Sequence, residues 1–219
     1  MKDIDAIVFD MDGVLFDTER VSRDCWRQIA KEHQIEGIDE VYPMMIGVNH
    51  TDGLEIFRKI YGEGIDGEAF LAECGVLMKK RLHEEGLPLK QGVLELLEYL
   101  RQNQIPAAIC SSTAVPVIKD HLMQAHMESY FQAIIGGNMV LHSKPQPDIY
   151  LKACEELGKD PARCMAIEDS PNGIRSASAA GMIPVMIPDL VEPTDELRAL
   201  SFRVEKSLTS FLTYLTTLS

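Results

Sequence analysis

Two carboxylates, Asp10 and Asp12, directly follow a short apolar run, Ala6–Phe9. The length and composition of this run predict a parallel strand that is buried on both faces. An unpaired carboxylate is very costly to bury, so a buried strand that ends in two acids needs a compensating cation. The sequence therefore indicates a cation, most simply a metal ion, beside Asp10 and Asp12.

Two further apolar runs end in polar side chains. Residues 105–110 precede Ser111-Ser112-Thr113, and residues 164–167 precede Glu168-Asp169. The carboxyl ends of neighbouring parallel strands lie at one edge of a sheet, where ligands bind in folds of this class. We therefore expect all three groups of polar residues to converge there, provided that the strands are neighbours.

A lysine in a proline-restricted segment is the candidate for a balancing positive charge. Lys144 lies in Ser143-Lys144-Pro145-Gln146-Pro147-Asp148, where the two prolines limit the backbone conformation. Such a segment suits a lysine that must point in one direction. A lysine so held could neutralise negative charge that spreads over phosphate oxygens in a reaction.

These residue types suit phosphoryl transfer. The acids are hard oxygen donors, which select Mg²⁺ over zinc or copper, and Mg²⁺ commonly bridges carboxylates and a substrate phosphate. A carboxylate can attack phosphorus and form an aspartyl phosphate, which divides one difficult step into two easier ones. Asp12, two residues further on, could protonate the leaving oxygen and then deprotonate water. A hydroxyl such as that of Ser111 could hold a phosphate oxygen.

The elements that must position these residues alternate between strand and helix after residue 92. Helices are predicted over residues 93–102, 115–125, 147–157, 171–180 and 207–218, and further strands over residues 133–135 and 183–187. This alternation is typical of a parallel sheet with helices on both faces. Residues 19–85 instead show helical spacing without strand-like alternation, and residues 86–92 read as a linker back to the sheet. A small helical module is therefore predicted as an insertion after the first strand.

Composition restricts the partners and the compartment. The 219 residues carry a net charge of −13, and no basic run exceeds Lys79-Lys80-Arg81, which disfavours nucleic acid as a partner. The five cysteines include no Cys-x-x-Cys pair, which favours a reducing compartment over disulfides or a zinc site. We find no signal-peptide pattern and no apolar run of the roughly 18 residues that a membrane span needs. We expect a cytoplasmic monomer.

Four motifs in order resemble those of the haloacid dehalogenase superfamily. Residues 10–19, Asp-Met-Asp-Gly-Val-Leu-Phe-Asp-Thr-Glu, resemble its first motif, and Ser111 after a buried strand resembles the second. Lys144 resembles the third motif and Glu168-Asp169-Ser170 the fourth. The resemblance implies an α/β fold with a Rossmann-like parallel-sheet core of three layers (αβα) and an inserted helical cap of the C1 type. We predict the core at residues 1–16 and 87–219 and the cap at residues 17–86.

The resemblance also implies roles and a reaction. Asp10 would be the nucleophile and Asp12 the general acid and base, while Ser111 and Lys144 would hold the transferring phosphoryl group. The implied magnesium ligands are Asp10, Asp12 through its backbone carbonyl, Glu168 and Asp169. The function implied is a Mg²⁺-dependent phosphatase that acts on a small phosphorylated metabolite, such as a sugar phosphate or nucleotide, through an aspartyl phosphate.

Two alternatives stay open at this point. The subgroup that the chain resembles also contains β-phosphoglucomutase, a phosphosugar mutase. The mutases carry a histidine where this chain has Ser22, and a cap arginine near the position of His50. A phospho-accepting receiver module, the second alternative, also pairs acids with a hydroxyl and a lysine, but it lacks both a base at the position of Asp12 and a helical insert.

Overall fold

The computed structural model describes residues 4–46, 48 and 50–217 of the chain. Its sheet has six parallel strands in the order β3-β2-β1-β4-β5-β6. The strands are β1 (Ala6–Phe9), β2 (Ala107–Ser111), β3 (Ala133–Gly136), β4 (Cys164–Glu168), β5 (Ile183–Met186) and β6 (Arg203–Val204). The strands β1, β2 and β4, which carry the predicted site residues, are therefore direct neighbours.

Both faces of the central strand are buried. Alternate residues of a strand point to opposite faces, so Ile7 and Phe9 of β1 join one apolar cluster while Ala6 and Val8 join another. Helices cover each face and complete the three layers that the sequence predicts. The core helices are α5 (Val93–Gln102), α6 (Val115–Gln124), α7 (Asp148–Leu157), α8 (Pro171–Ala179), α9 (Asp195–Leu200) and α10 (Leu208–Thr217).

The described residues between β1 and α5 form four α-helices, as the predicted helical insertion requires. They are α1 (Thr18–Glu32), α2 (Ile38–Met45), α3 (His50–Tyr61) and α4 (Gly67–Glu85). These helices have their own apolar core, in which the rings of Trp26 and Phe70 pack edge to face with centroids 5.2 Å apart. We refer to α1–α4 as the cap; the boundaries at residues 17 and 86 remain a prediction.

The chain enters and leaves the cap through two paired segments. The backbone N–H of Asp17 donates to the carbonyl of Pro88 at 2.8 Å, and that of Lys90 donates to the carbonyl of Leu15 at 2.9 Å. The side chain of Lys90 also pairs with Asp189, at 2.8 Å, and Arg20 of α1 pairs with the same carboxylate at 2.7 Å. These contacts hold both connections against the loop that follows β5.

The structure differs from the sequence prediction in several short elements. Helix α9, strand β6 and helix α2 were not predicted, and β2 begins at Ala107 rather than at residue 105. Strand β6 has two residues and α9 has six, too few for a hydrophobic period to be recognised, while α2 contains Pro43. Leu218, the predicted end of the last helix, lies outside the described residues. Among the described helices, none is long and apolar enough to span a bilayer.

Candidate active site

Strand β1 delivers Asp10 to the carboxyl edge of the sheet. The backbone N–H of Asp10 donates to the carbonyl of Ile167 in β4 at 2.9 Å, so the strand pairing continues to the acid itself. The side chain is buried, and Nζ of Lys144 lies 2.5 Å from its Oδ1. Burial raises the pKa of Asp10, while the ammonium group of Lys144 acts in the opposite direction. Lys144, the candidate for a balancing positive charge, thus lies beside Asp10 in the fold.

Lys144 is a buried cation with two carboxylate partners. Its Nζ also lies 2.5 Å from Oε1 of Glu168, and it donates to the carbonyl of Cys110 at 3.3 Å. Burial disfavours the charge on the lysine, but the attraction of Asp10 and Glu168 outweighs it and raises the pKa of Lys144 above its usual value. The lysine is therefore a fixed positive charge beside Asp10.

Glu168, the last residue of β4, is held by hydrogen bonds on both carboxylate oxygens. Its Oε1 accepts from the hydroxyl of Tyr150 at 2.8 Å as well as from Lys144. Its Oε2 accepts from the backbone N–H groups of Asp169 and Ser170, both at 3.1 Å, and from the Ser170 hydroxyl at 3.0 Å. These donors satisfy the buried carboxylate and fix the side chain that orients Lys144.

The buried acids outnumber the buried cation. Oxygens of Asp10, Glu168 and Asp169 lie within 4.8 Å of one another. Burial raises the pKa of Asp169 well above its usual value, and the charges of Glu168 and Asp10 act in the same direction. When all three carboxylates are ionised, they leave two negative charges beyond the one that Lys144 balances, and a divalent cation would neutralise these. This all-oxygen donor set fits Mg²⁺.

Two glycines make room for these acids. Gly13 has a φ of +81°, and a Cβ built there would lie 2.2 Å from Oδ2 of Asp169. A Cβ on Gly173, in the first turn of α8, would lie 1.8 Å from Cδ of Glu168. Side chains at these positions would displace the acids, so the absence of a Cβ is part of how the chain builds the cluster.

Asp12 occupies a different environment from Asp10. Its Oδ1 accepts a hydrogen bond from the hydroxyl of Thr18 at 2.6 Å, and its Oδ2 accepts from the hydroxyls of Ser111 at 3.2 Å and Thr113 at 3.0 Å. Ser111 ends β2, and its hydroxyl oxygen accepts from the backbone N–H of Thr113 at 3.0 Å. Hydroxyls rather than a lysine therefore position the second carboxylate.

A polar cavity of about 260 Å³ opens over these residues between the core and the cap. Asp10, Asp12, Ser111 and Asp169 line its core side, and its cap side includes Glu19, Met45, Ile46, Val48 and His50. The hydroxyl of Tyr42 donates to Oε2 of Glu19 at 2.6 Å. Burial raises the pKa of Glu19 to about 7, and the charge of Asp12 acts in the same direction.

The predicted site residues lie together in the structure, but the sequence did not reveal several of their hydrogen-bond partners. Asp10, Asp12, Ser111, Lys144, Glu168 and Asp169 all lie at the carboxyl edge of β1, β2 and β4 or in the loops beside it. The missed partners include Thr18 and Thr113, which hold Asp12, and Tyr150, which holds Glu168. Both threonines stand inside quoted motifs, whereas nothing local marks Tyr150.

The match to a family model decides the family. The model for haloacid dehalogenase-like hydrolases matches residues 4–181, which include every candidate site residue. The chain belongs to the haloacid dehalogenase-like hydrolases. The predicted superfamily and the predicted hydrolase class are thereby confirmed for this hydrolase.

The chain is also similar in sequence to proteins that are named as phosphatases. The hydrolase is 31% identical to a phosphorylated carbohydrates phosphatase of Thermotoga maritima, over 82% of each chain. It is 27% identical to the fructose-1-phosphate phosphatase YqaB of Escherichia coli, over 81% of this chain and 93% of that one. These names support the narrower prediction that this hydrolase is a phosphatase.

A solved structure shows the same fold. The crystal structure of β-phosphoglucomutase from Clostridium difficile superposes with a TM-score of 0.81 over 98% of this chain and 96% of that one, at 21% identity. The predicted Rossmann-like core with an inserted helical cap is confirmed for this hydrolase.

Proposed function

We propose that this hydrolase is a Mg²⁺-dependent phosphatase that cleaves small phosphomonoesters through a phosphorylated Asp10. The observation that carries the proposal is the unequal environment of two acids on one loop. Asp10 is buried against a fixed ammonium group, and Asp12 is held at the cavity by three hydroxyls. Two carboxylates in different surroundings suit two different chemical roles.

In the first step, a carboxylate oxygen of Asp10 attacks phosphorus and the bond from phosphorus to the leaving oxygen breaks. Asp12 gives its proton to that oxygen, so the leaving group departs as an alcohol. In the second step, water attacks the phosphorus of the acyl phosphate, Asp12 accepts the proton of that water, and Asp10 is released with inorganic phosphate. Lys144 and the Ser111 hydroxyl are proposed to hold the phosphoryl oxygens as their charge develops.

The residues proposed to hold Mg²⁺ are Asp10, Asp169 and the backbone carbonyl of Asp12. When bound, the ion would neutralise charge on the transferring phosphoryl group. Glu168 was predicted as a further ligand, and that role stays a prediction. Its hydrogen bonds to Lys144 and Tyr150 favour a role in positioning the lysine.

The mutase alternative finds no support in the described part of the cap. A mutase must grip a second phosphate, and His50, near the position where an arginine is expected, instead lies 3.0 Å from Glu68, an acid that would repel phosphate. Gly47 and Asn49 of the same stretch lie outside the described residues. The family match and the cap likewise favour a hydrolase over a receiver module. A cytoplasmic, monomeric enzyme remains our prediction.

Steady-state phosphate release tests the proposal. We expect the wild type to hydrolyse p-nitrophenyl phosphate and a panel of sugar phosphates with Mg²⁺, and to lose this activity in EDTA. Asp10→Asn should lower kcat by about 10⁴-fold or more, as expected when a nucleophile is removed. Glu55→Gln, on the exposed surface of α3 in the cap, is the control. Full activity after exhaustive chelation would overturn the metal role, and appreciable turnover by Asp10→Asn would overturn the nucleophile.

A further inference from the structure

A second and larger cavity adjoins the polar one. It measures about 640 Å³ and lies between α4 of the cap and α6 of the core. Gly75, Met78 and Leu82 line it from α4, and Pro116 and Val117 line it from α6. Its walls are mainly apolar, in contrast to the carboxylates and hydroxyls around the polar cavity. We call it the helix cleft.

The two cavities meet at Asp12 and Thr113, which line both of them. The Thr113 hydroxyl donates to Oδ2 of Asp12 at 3.0 Å, so the proposed proton donor stands on the boundary. Asp10 lines the polar cavity and is absent from the helix cleft. A phosphomonoester with its phosphoryl group at Asp10 would therefore have its leaving oxygen near Asp12 and the rest of its leaving group directed toward the cleft.

The size and shape of the cleft fit more than a simple sugar. Its lining on α4 runs from Gly75 to His83, and on α6 from Pro116 to Gln124. Eight residues of helix correspond to about 12 Å, so the cleft is a slot about two helical turns long. Met78 and Leu82 on one helix and Pro116 and Val117 on the other supply the apolar surface of the slot. A flat ring between the two helices would cover this surface, whereas a bare sugar would leave most of it uncovered.

The cleft also offers polar groups for the edge of such a ring. His121 of α6 lines it and is only 7% exposed, with Phe16 packed against its ring. Lys79 and His83 of α4 and Asp120 and Gln124 of α6 line the same cleft, and their side chains can donate or accept hydrogen bonds at the edge of a ring.

We propose that the helix cleft receives a planar heteroaromatic ring, so that the preferred substrate is a nucleoside 5′-monophosphate. The pentose bridges the two cavities past Asp12, and the base lies between α4 and α6. This inference rests on the proposed phosphatase function and extends it, because it names the leaving group that the enzyme selects.

Matched substrates and a matched pair of variants test the inference. Ribose 5-phosphate and uridine or adenosine 5′-monophosphate differ in the base alone. We expect kcat/KM of the wild type to be about tenfold or more higher for one of the nucleotides, an effect typical of filling an apolar pocket. A Cβ at Gly75 meets no atom within 4 Å, so Gly75→Phe would fill the cleft without a clash at its Cβ.

The variant Gly75→Phe should remove the nucleotide preference, because it should lower kcat/KM for the nucleotides at least tenfold more than for ribose 5-phosphate. Val76→Phe is the control, because Val76 is 72% exposed on the same helix and does not line the cleft. Equal kcat/KM for all three substrates, or a preference that survives Gly75→Phe, would overturn the inference while the phosphatase function stands.

Binding of the free nucleoside, measured by calorimetry, separates the two proposals. Uridine or adenosine should bind to the wild type and to Val76→Phe, and at least tenfold more weakly to Gly75→Phe. Nucleoside binding with no hydrolysis of any phosphomonoester would contradict the phosphatase proposal and retain the cleft as a ligand site. Absence of nucleoside binding to the wild type would overturn the cleft inference.

Discussion

The core and cap sides of the polar cavity differ in how deeply their charged pairs are buried. On the core side, Lys144 and Glu168 are 2% and 0% exposed and lie 2.5 Å apart. On the cap side, His50 and Glu68 lie 3.0 Å apart with side chains 60% and 66% exposed. Buried charges depend on their partners, whereas exposed pairs contribute little. The core side can therefore change little without loss of the fold, and the cap side is free to vary with the substrate.

Removal of the buried ammonium group should have the largest effect. Lys144→Met leaves Asp10 and Glu168 without their shared cation, so we expect a loss of about 3–5 kcal/mol in the free energy of unfolding. Activity should fall by about 100-fold or more as well. Lys59→Met, an exposed lysine of α3, is the control for charge removal. Equal urea-denaturation midpoints for the two variants would contradict the contrast between core and cap.

Addition of a methyl group beside Glu168 should have the next largest effect. Gly173→Ala places a Cβ 1.8 Å from Cδ of that buried acid, and we expect it to cost about 2 kcal/mol. Gly75→Ala, in the cap, meets open space and should stabilise its helix by up to about 1 kcal/mol. Thermal unfolding of the two variants measures the difference. A Tm of Gly173→Ala equal to that of the wild type would show that the core side accommodates an added methyl group, contrary to our account.

The carboxyl of Glu19 predicts a pH-dependent difference. Because burial raises its pKa from 4.5 to about 7, ionisation of Glu19 opposes folding. The penalty is absent below pH 4.5 and complete above pH 7, so the wild type should lose stability relative to Glu19→Gln across that range. Each pKa unit corresponds to about 1.4 kcal/mol, so the shift sets an upper bound of about 3.5 kcal/mol on the penalty. Since Glu19 is only half-buried, we expect about 1 kcal/mol.

The comparison requires unfolding of the wild type and Glu19→Gln at pH 5 and pH 8 in EDTA, which keeps metal ions from altering the charge near Asp12. Glu55→Gln, on the exposed surface of α3, serves as the control variant. We expect the free energy of unfolding of Glu19→Gln to rise relative to that of the wild type between pH 5 and pH 8. If it stays constant or falls relative to the wild type, the pKa of Glu19 is not raised.

The smallest effect on stability is expected at the cap surface. His50→Ala removes an exposed pair and should change the free energy of unfolding by less than about 0.5 kcal/mol. His50 lines the polar cavity, so KM for phosphomonoesters should change more than stability does. Urea denaturation and steady-state kinetics on the same preparation check both statements. A large loss of stability would show that the cap side also depends on its surface pairs.

The site residues that could be predicted from the sequence are mainly those at the ends of strands. Asp10, Ser111 and Glu168 could be found because each terminates an apolar run, and parallel strands bring such ends together. Lys144 was found from its motif and its prolines. The hydrogen bond from Tyr150 to Glu168 could not be found, because it depends on how α7 packs against β4, a tertiary contact that leaves no local pattern.

The role of Glu168 shows the same limit. An acid beside Asp169 at a strand end is a reasonable metal ligand from the sequence alone. In the fold, backbone N–H groups and hydroxyls meet one of its oxygens while Lys144 and Tyr150 meet the other. The number of donors that point at a buried carboxylate is set by three-dimensional packing, so the argument for Glu168 as a positioning residue could not be made from the sequence.

Chemical trapping of the acyl phosphate tests the central claim most directly. In Asp12→Asn, p-nitrophenyl phosphate should still phosphorylate Asp10, because its weakly basic leaving group needs no proton donor, but hydrolysis of the intermediate should stall. Borohydride reduction of the quenched protein, followed by peptide mass spectrometry, should then find the reduced side chain at Asp10. Steady turnover by Asp12→Asn with no reduced residue, or reduction at a different acid, would contradict the account.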